Sequence, residues 1–125
     1  MLGWDDVRRM GALGIGFGGH TVNHPFVSRL QPDEALWEAS ECKRRIEEEL
    51  QQPVVHFAYP SGREQDVGPG NKELIRAAGY QAAVTTIWGV NDSATDLMEL
   101  RRGQPWEETP ELFACKLDWY QLVNG

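Results

Sequence analysis

The chain has 125 residues, 41% of them hydrophobic and 25% charged, with a net charge of −7 at pH 7. That length and balance suit one domain with a real core, and they exclude a disordered tail, a collagen-like chain and a coiled-coil rod. The acidic charge repels a phosphate backbone, so no nucleic-acid partner is expected. No apolar run is long enough for a membrane span, and the N-terminus lacks the basic start and apolar stretch of a secretory signal. As written, the chain is expected in the cytoplasm, without a membrane partner; a preceding segment would change that expectation.

Residues 4–12 predict a short helix, with Trp4, Val7, Met10 and Leu13 at helical spacing and Asp5 and Asp6 at the positive end of its dipole. Gly14 ends it, and Ile15 to Phe17 form a candidate strand. Gly18 and Gly19 then permit tight backbone geometry before His20. Residues 32–51 predict the longest helix: Pro32 suits the first turn, and Ala35, Ala39, Cys42, Ile46 and Leu50 make one apolar stripe. The remaining charges of EASECKRRIEEE read as a solvated face with local ion pairs. Val54 to Ala58 predicts a strand, closed by the turn Tyr59-Pro60-Ser61-Gly62. Residues 63–70 read as loop, Asn71 to Ala78 as helix, Tyr80 to Thr86 as strand, 88–110 as mostly irregular and 110–122 as a terminal helix. This alternation predicts an α/β fold, in which ligands collect at the carboxyl ends of strands. Those ends carry Gly19-His20, Tyr59-Pro60-Ser61 and Thr85-Thr86.

His20 and His24, four residues apart in H-T-V-N-H, suit Zn²⁺ or a similar divalent ion. Pro25 disfavours helical geometry at His24, so a loop or single turn is expected. The competing reading is two polar loop histidines. A catalytic zinc takes three protein ligands, and the third is not evident. His56, between apolar neighbours, reads as a packed or hydrogen-bonded strand residue, and Asp5-Asp6 as a helix start. The N–H groups of the turn after Ala58 can face a developing oxyanion. Trp88 and Trp106, in the irregular segment, can cap a core or stack on a ligand. Cys42 and Cys115 read as buried free thiols.

Gly19-His20-Thr21-Val22-Asn23-His24-Pro25 followed by Leu30 resembles the H-[ST]-x-x-H motif of the polysaccharide deacetylases, the NodB-homology group of carbohydrate esterases. PVVHFAYPSG resembles that family's third motif, and AGYQAAVTTIWGVN and LMELRRG resemble the segments that follow in one bacterial subgroup. The resemblance implies a partial, distorted (β/α) barrel of the NodB type over residues 1–125. It implies metal-dependent hydrolysis of N-acetyl groups on a chitooligosaccharide-like oligo- or polysaccharide. His20 and His24 would be the metal ligands, the Ser61 N–H the oxyanion donor, and Tyr59, Pro60 and Trp88 substrate contacts. The motif arginine falls on Ala58, and Arg102, which matches a later arginine of the subgroup, would substitute for it near the catalytic acid. The family's aspartate pair, which supplies base and third ligand, lies upstream of the histidine motif, and the late Leu-x-His motif has no match. A truncated site, weak metal binding, impaired activity and a homodimer covering an exposed sheet edge are therefore expected, with a non-catalytic sugar- or partner-binding remnant as the alternative.

Overall fold

The structure, a computed structural model, describes residues 2–103 and 109–124. Helix α1 spans Trp4–Ala12, and Gly14 turns the chain away at a φ of +86°. Helix α2 spans Pro32–Leu50; the Glu34 carboxylate accepts the Gln31 N–H at 3.0 Å, and Gln51 stops the helix in a left-handed conformation. Its stripe buries Ala35, Ala39 and Cys42 and half-buries Ile46. Strand β1 is His56–Ala58, helix α3 Glu64–Val67, helix α4 Asn71–Ala77, strand β2 Ala82–Val84 and helix α5 Pro110–Asn124. Single 3-10 turns occupy Val27–Arg29 and Leu97–Glu99.

β1 and β2 run parallel, Phe57 opposite Ala83. Gly19 bridges in parallel to Phe57 on one side, and Leu100 to Val84 on the other. Four strand segments thus lie side by side in chain order, and the first two crossovers carry α2 and α4, as parallel pairing requires. Phe57 and Ala83 point into a core shared with Val27, Ala39, Val54, Ile75 and Tyr80. On the other face His56 is exposed and Ala58, Ala82 and Val84 are half-buried. The result is an α/β sheet covered by helices on one face and open on the other.

Several expectations are corrected. The strand at Ile15 to Phe17 is absent, and pairing begins only at Gly19. The strands expected over Val54–Ala58 and Tyr80–Thr86 shorten to three-residue ladders. The expected loop 63–70 contains α3, whose Asp66 side chain accepts the Arg63 N–H at 3.3 Å. His56 is not packed: strand alternation gives the covered face to Phe57 and turns His56 outward. Cys42 is buried, whereas Cys115 is exposed. Gly18 and Gly19 matter for close approach and not for unusual φ: a Cβ on Gly19 would lie 2.1 Å from the Tyr80 hydroxyl, and one on Gly18 2.9 Å from the His56 carbonyl oxygen.

Candidate functional site

The carboxyl ends of the four segments form one edge, and hydrogen bonds run along it from segment to segment. Gly19 delivers His20, whose ring Nδ1 lies 2.7 Å from the Ala58 carbonyl oxygen. A carbonyl only accepts, so Nδ1 carries a proton, which in the neutral ring leaves the lone pair on Nε2. The His20 backbone N–H donates to Cys42 Sγ at 3.4 Å. Thr21 and His24 both take left-handed conformations, with φ of 66° and 58°. The Thr21 hydroxyl oxygen accepts the His24 N–H at 3.1 Å, which closes a single turn. The two imidazoles stand edge to face with centroids 4.8 Å apart, and both histidines are exposed.

Two nitrogens at Zn–N bond length on a tetrahedral ion lie about 3.4 Å apart, a separation that rings with centroids 4.8 Å apart can reach. The donors present fill two positions. Among the described residues no group of three His, Cys, Asp or Glu side chains could hold a metal. Asp6 caps the Gly3 N–H at 3.2 Å and Asp5 pairs with Arg8, so both serve α1.

After Ala58 the chain turns through Ser61, at a φ of 59°, and Gly62, at 66°. The Thr86 hydroxyl donates to the Ser61 carbonyl at 2.6 Å, and the Thr86 N–H to the Gly62 carbonyl at 2.8 Å. These bonds staple the turn to the end of β2. Ser61 is exposed, and its N–H has no hydrogen-bond partner among the described residues. Tyr59 and Pro60, expected at a sugar surface, are buried instead. Tyr59 is 2% exposed, and its hydroxyl donates to the Met98 carbonyl at 3.0 Å; burial pushes that phenol's pKa up. Trp88 is half-exposed but turned to α5, with the Trp119 ring 6.4 Å away and Lys116 Nζ 5.5 Å from its centroid. Trp106 lies outside the described residues. Arg102 shares the edge: it follows Leu100, is exposed, and its N–H donates to the Ile87 carbonyl at 2.9 Å.

One residue was missed. Glu38, read with the solvated face of α2, is 6% exposed and points at the histidine loop. Its Oε2 accepts the N–H groups of Val22, at 2.7 Å, and Asn23, at 3.0 Å, and its Oε1 accepts Asn23 Nδ2 at 2.6 Å. Burial alone would raise this carboxyl's pKa, but the Asn23 side chain, the two backbone donors and the Arg45 charge outweigh it and lower the net value. A signal was present in part: Glu38 lies three residues after Ala35 and one before Ala39, on the flank of the buried stripe.

Comparison with known proteins adds the following. The family model described as polysaccharide deacetylase matches residues 2–83. Bacillus subtilis (strain 168) YxkH, described as a polysaccharide deacetylase, is 28% identical over 101 residues, which is 78% of this chain and 34% of YxkH. The Streptococcus pyogenes deacetylase PplD, solved in complex with acetate, is 30% identical with a TM-score of 0.75, over 82% of this chain and 44% of PplD. BC0361, a polysaccharide deacetylase from Bacillus cereus, shares the fold at a TM-score of 0.79 and 23% identity, over 93% of this chain and 36% of BC0361. The chain therefore spans about a third of YxkH and under half of PplD. The open sheet is a part of the fold these deacetylases share.

Proposed function

Because this chain belongs to the polysaccharide deacetylase family, we propose that it serves metal-dependent removal of N-acetyl groups from an amino-sugar polymer of chitooligosaccharide type. The observation that carries the reading is the pair of imidazoles, centroids 4.8 Å apart, with His20 Nδ1 tied to the carbonyl of Ala58, the residue at which β1 ends before the turn through Ser61. A divalent ion held by His20 and His24 would supply Lewis acidity toward water and the acetamide carbonyl. The chain's own residues do the rest. The Ala58 carbonyl fixes the His20 tautomer and ring direction, and Thr21 holds the His24 backbone. The Ser61 N–H donates to the oxygen that becomes negative as the carbonyl is attacked. Arg102, at the same edge, brings a positive charge toward the acid that completes the site.

Two imidazoles alone hold a cation more weakly than the three-ligand set of a catalytic zinc. General base catalysis typically contributes ~10²–10⁴-fold, and no carboxylate joins the histidine pair among the described residues. The 125-residue chain should therefore bind Zn²⁺ weakly and hydrolyse slowly unless a carboxylate is brought to the edge. The test is calorimetric titration of Zn²⁺ into the chain and its His20→Ala and His24→Ala variants. It is paired with acetate release from chitooligosaccharide before and after chelation. Weak binding lost in both variants, with slow chelator-sensitive release, is expected; binding indifferent to both substitutions overturns the reading. The incomplete ligand set favours one alternative, a non-catalytic sugar-binding role. Sugar binding that ignores Zn²⁺ and releases no acetate would select it.

A further inference from the structure

The Glu38 carboxylate lies beneath the H-T-V-N-H loop, and all three of its donors come from the two residues midway between the histidines. The His20 end of the loop is anchored independently, by the Gly19 bridge and the Ala58 carbonyl. Beyond the Thr21 hydroxyl that accepts the His24 N–H, the direction of His24 depends on the backbone path through Val22 and Asn23. That path has non-glycine left-handed residues on either side, Thr21 and His24, a conformation that persists only where the surroundings over-determine it. Glu38 belongs to no ion pair among the described residues, and every hydrogen bond its carboxylate accepts comes from the loop, with the Arg45 charge as a further favourable influence. Buried charges are retained only where hydrogen bonds compensate them, and here the compensating donors are the loop itself.

We propose that Glu38 is a positioning residue of the candidate metal site, clamping the Val22–Asn23 backbone so that His24 stands beside His20. The proposal rests on the reading of the two histidines as ligands. The clamp sets three donors on the loop against one acceptor group on α2. Asn23→Asp breaks it by setting a second acceptor against Glu38. Glu38→Gln alone is tolerated, because the Asn23 amide can rotate and offer its oxygen. Glu38→Gln combined with Asn23→Asp restores the pattern. The Gln oxygen accepts the two backbone N–H groups, and its NH₂ donates to the new carboxylate.

The experiment measures Zn²⁺ affinity of the full 125-residue chain by calorimetry. In parallel, NMR of the metal-free chain follows exchange of the Val22 and Asn23 amides and the His20–His24 inter-ring cross-peak. Asn23→Asp should weaken Zn²⁺ binding about 10–100-fold, the usual effect of losing a group that orients a ligand. It should also speed exchange of the two amides and weaken the cross-peak, and the double variant should recover all three. Recovery separates positioning from general stability, because the double variant restores hydrogen-bond polarity and not packing. Asn23→Asp with parental affinity and exchange overturns the proposal, as does a folded double variant that recovers nothing. If the parent shows no histidine-dependent Zn²⁺ binding, the ligand reading fails by itself. Glu38 is then decided by the metal-free signals: loss and recovery uphold the clamp, and no change overturns it.

Discussion

The Tyr80 hydroxyl sits where a side chain on residue 19 would begin. It donates to the Ala39 carbonyl at 3.0 Å, and its ring packs 5.0 Å from Phe57 between the sheet and α2. Gly19→Ala must displace a nearly buried tyrosine, and overpacking of that kind costs ~1–3 kcal/mol. A loss of about 2–3 kcal/mol in urea unfolding is expected at the upper end of that range. Gly16→Ala, with open space around it, should stay within about 0.5 kcal/mol. Equal effects at both positions would show that the contact with Tyr80 is not what demands glycine. The same residues show why some of the site was illegible. The sequence marks Gly19, His20 and His24 as unusual because their neighbours along the chain are unusual. It hides the partners Tyr80, Ala58 and Glu38, which arrive from other elements. Glu38 reads as one more charge on a polar helix until the loop that it holds is placed against it.

At the scale of elements, α1, α2 and α4 were legible because a helix satisfies its own backbone and shows its stripe locally. Strand limits were not, because a ladder exists only where a partner's register supplies bonds, and here the registers give three residues each. Helix α3 is too short to show a period. Tyr59 shows how such short elements are coupled. Its hydroxyl reaches from the end of β1 to the Met98 carbonyl in the 3-10 turn that feeds Leu100 to the edge of β2. Lys72 bridges Asp96 and Glu99 at the same turn, but exposed pairs of this kind contribute little. Tyr59→Phe leaves a buried carbonyl unpaired, at a cost of about 1–3 kcal/mol. Local opening should precede global unfolding, so hydrogen exchange should quicken first at Leu100, bonded to Ala83, and at Arg102, bonded to Ile87. Exchange that rises evenly across all elements would make Tyr59 an ordinary core residue with no special hold on this segment.

For the whole molecule, the parallel order Gly19, β1, β2, Leu100 leaves one outer edge where residues 15–18 approach the sheet without pairing. Around that edge Leu13 is 83% exposed, Ile15 50% and Trp4 44%. Gly16, Phe17 and Gly18 make no backbone hydrogen bond among the described residues; such an edge beside apolar side chains is a template for another strand, and natural edges are protected by charge, which this segment lacks. A second copy of the chain meets the requirement with the same segment. The 125-residue chain is therefore expected to self-associate in sedimentation velocity as its concentration rises. Its net charge of −7 opposes the approach of like chains, so added salt should strengthen association by screening. Ile15→Lys places a charge on the edge and should return the chain to a monomer. Leu112→Lys, on the exposed side of α5, changes charge by the same amount elsewhere and should leave association intact. Association abolished equally by both substitutions would assign it to net charge; a parent that stays monomeric throughout would show that the open edge does not recruit a copy of itself.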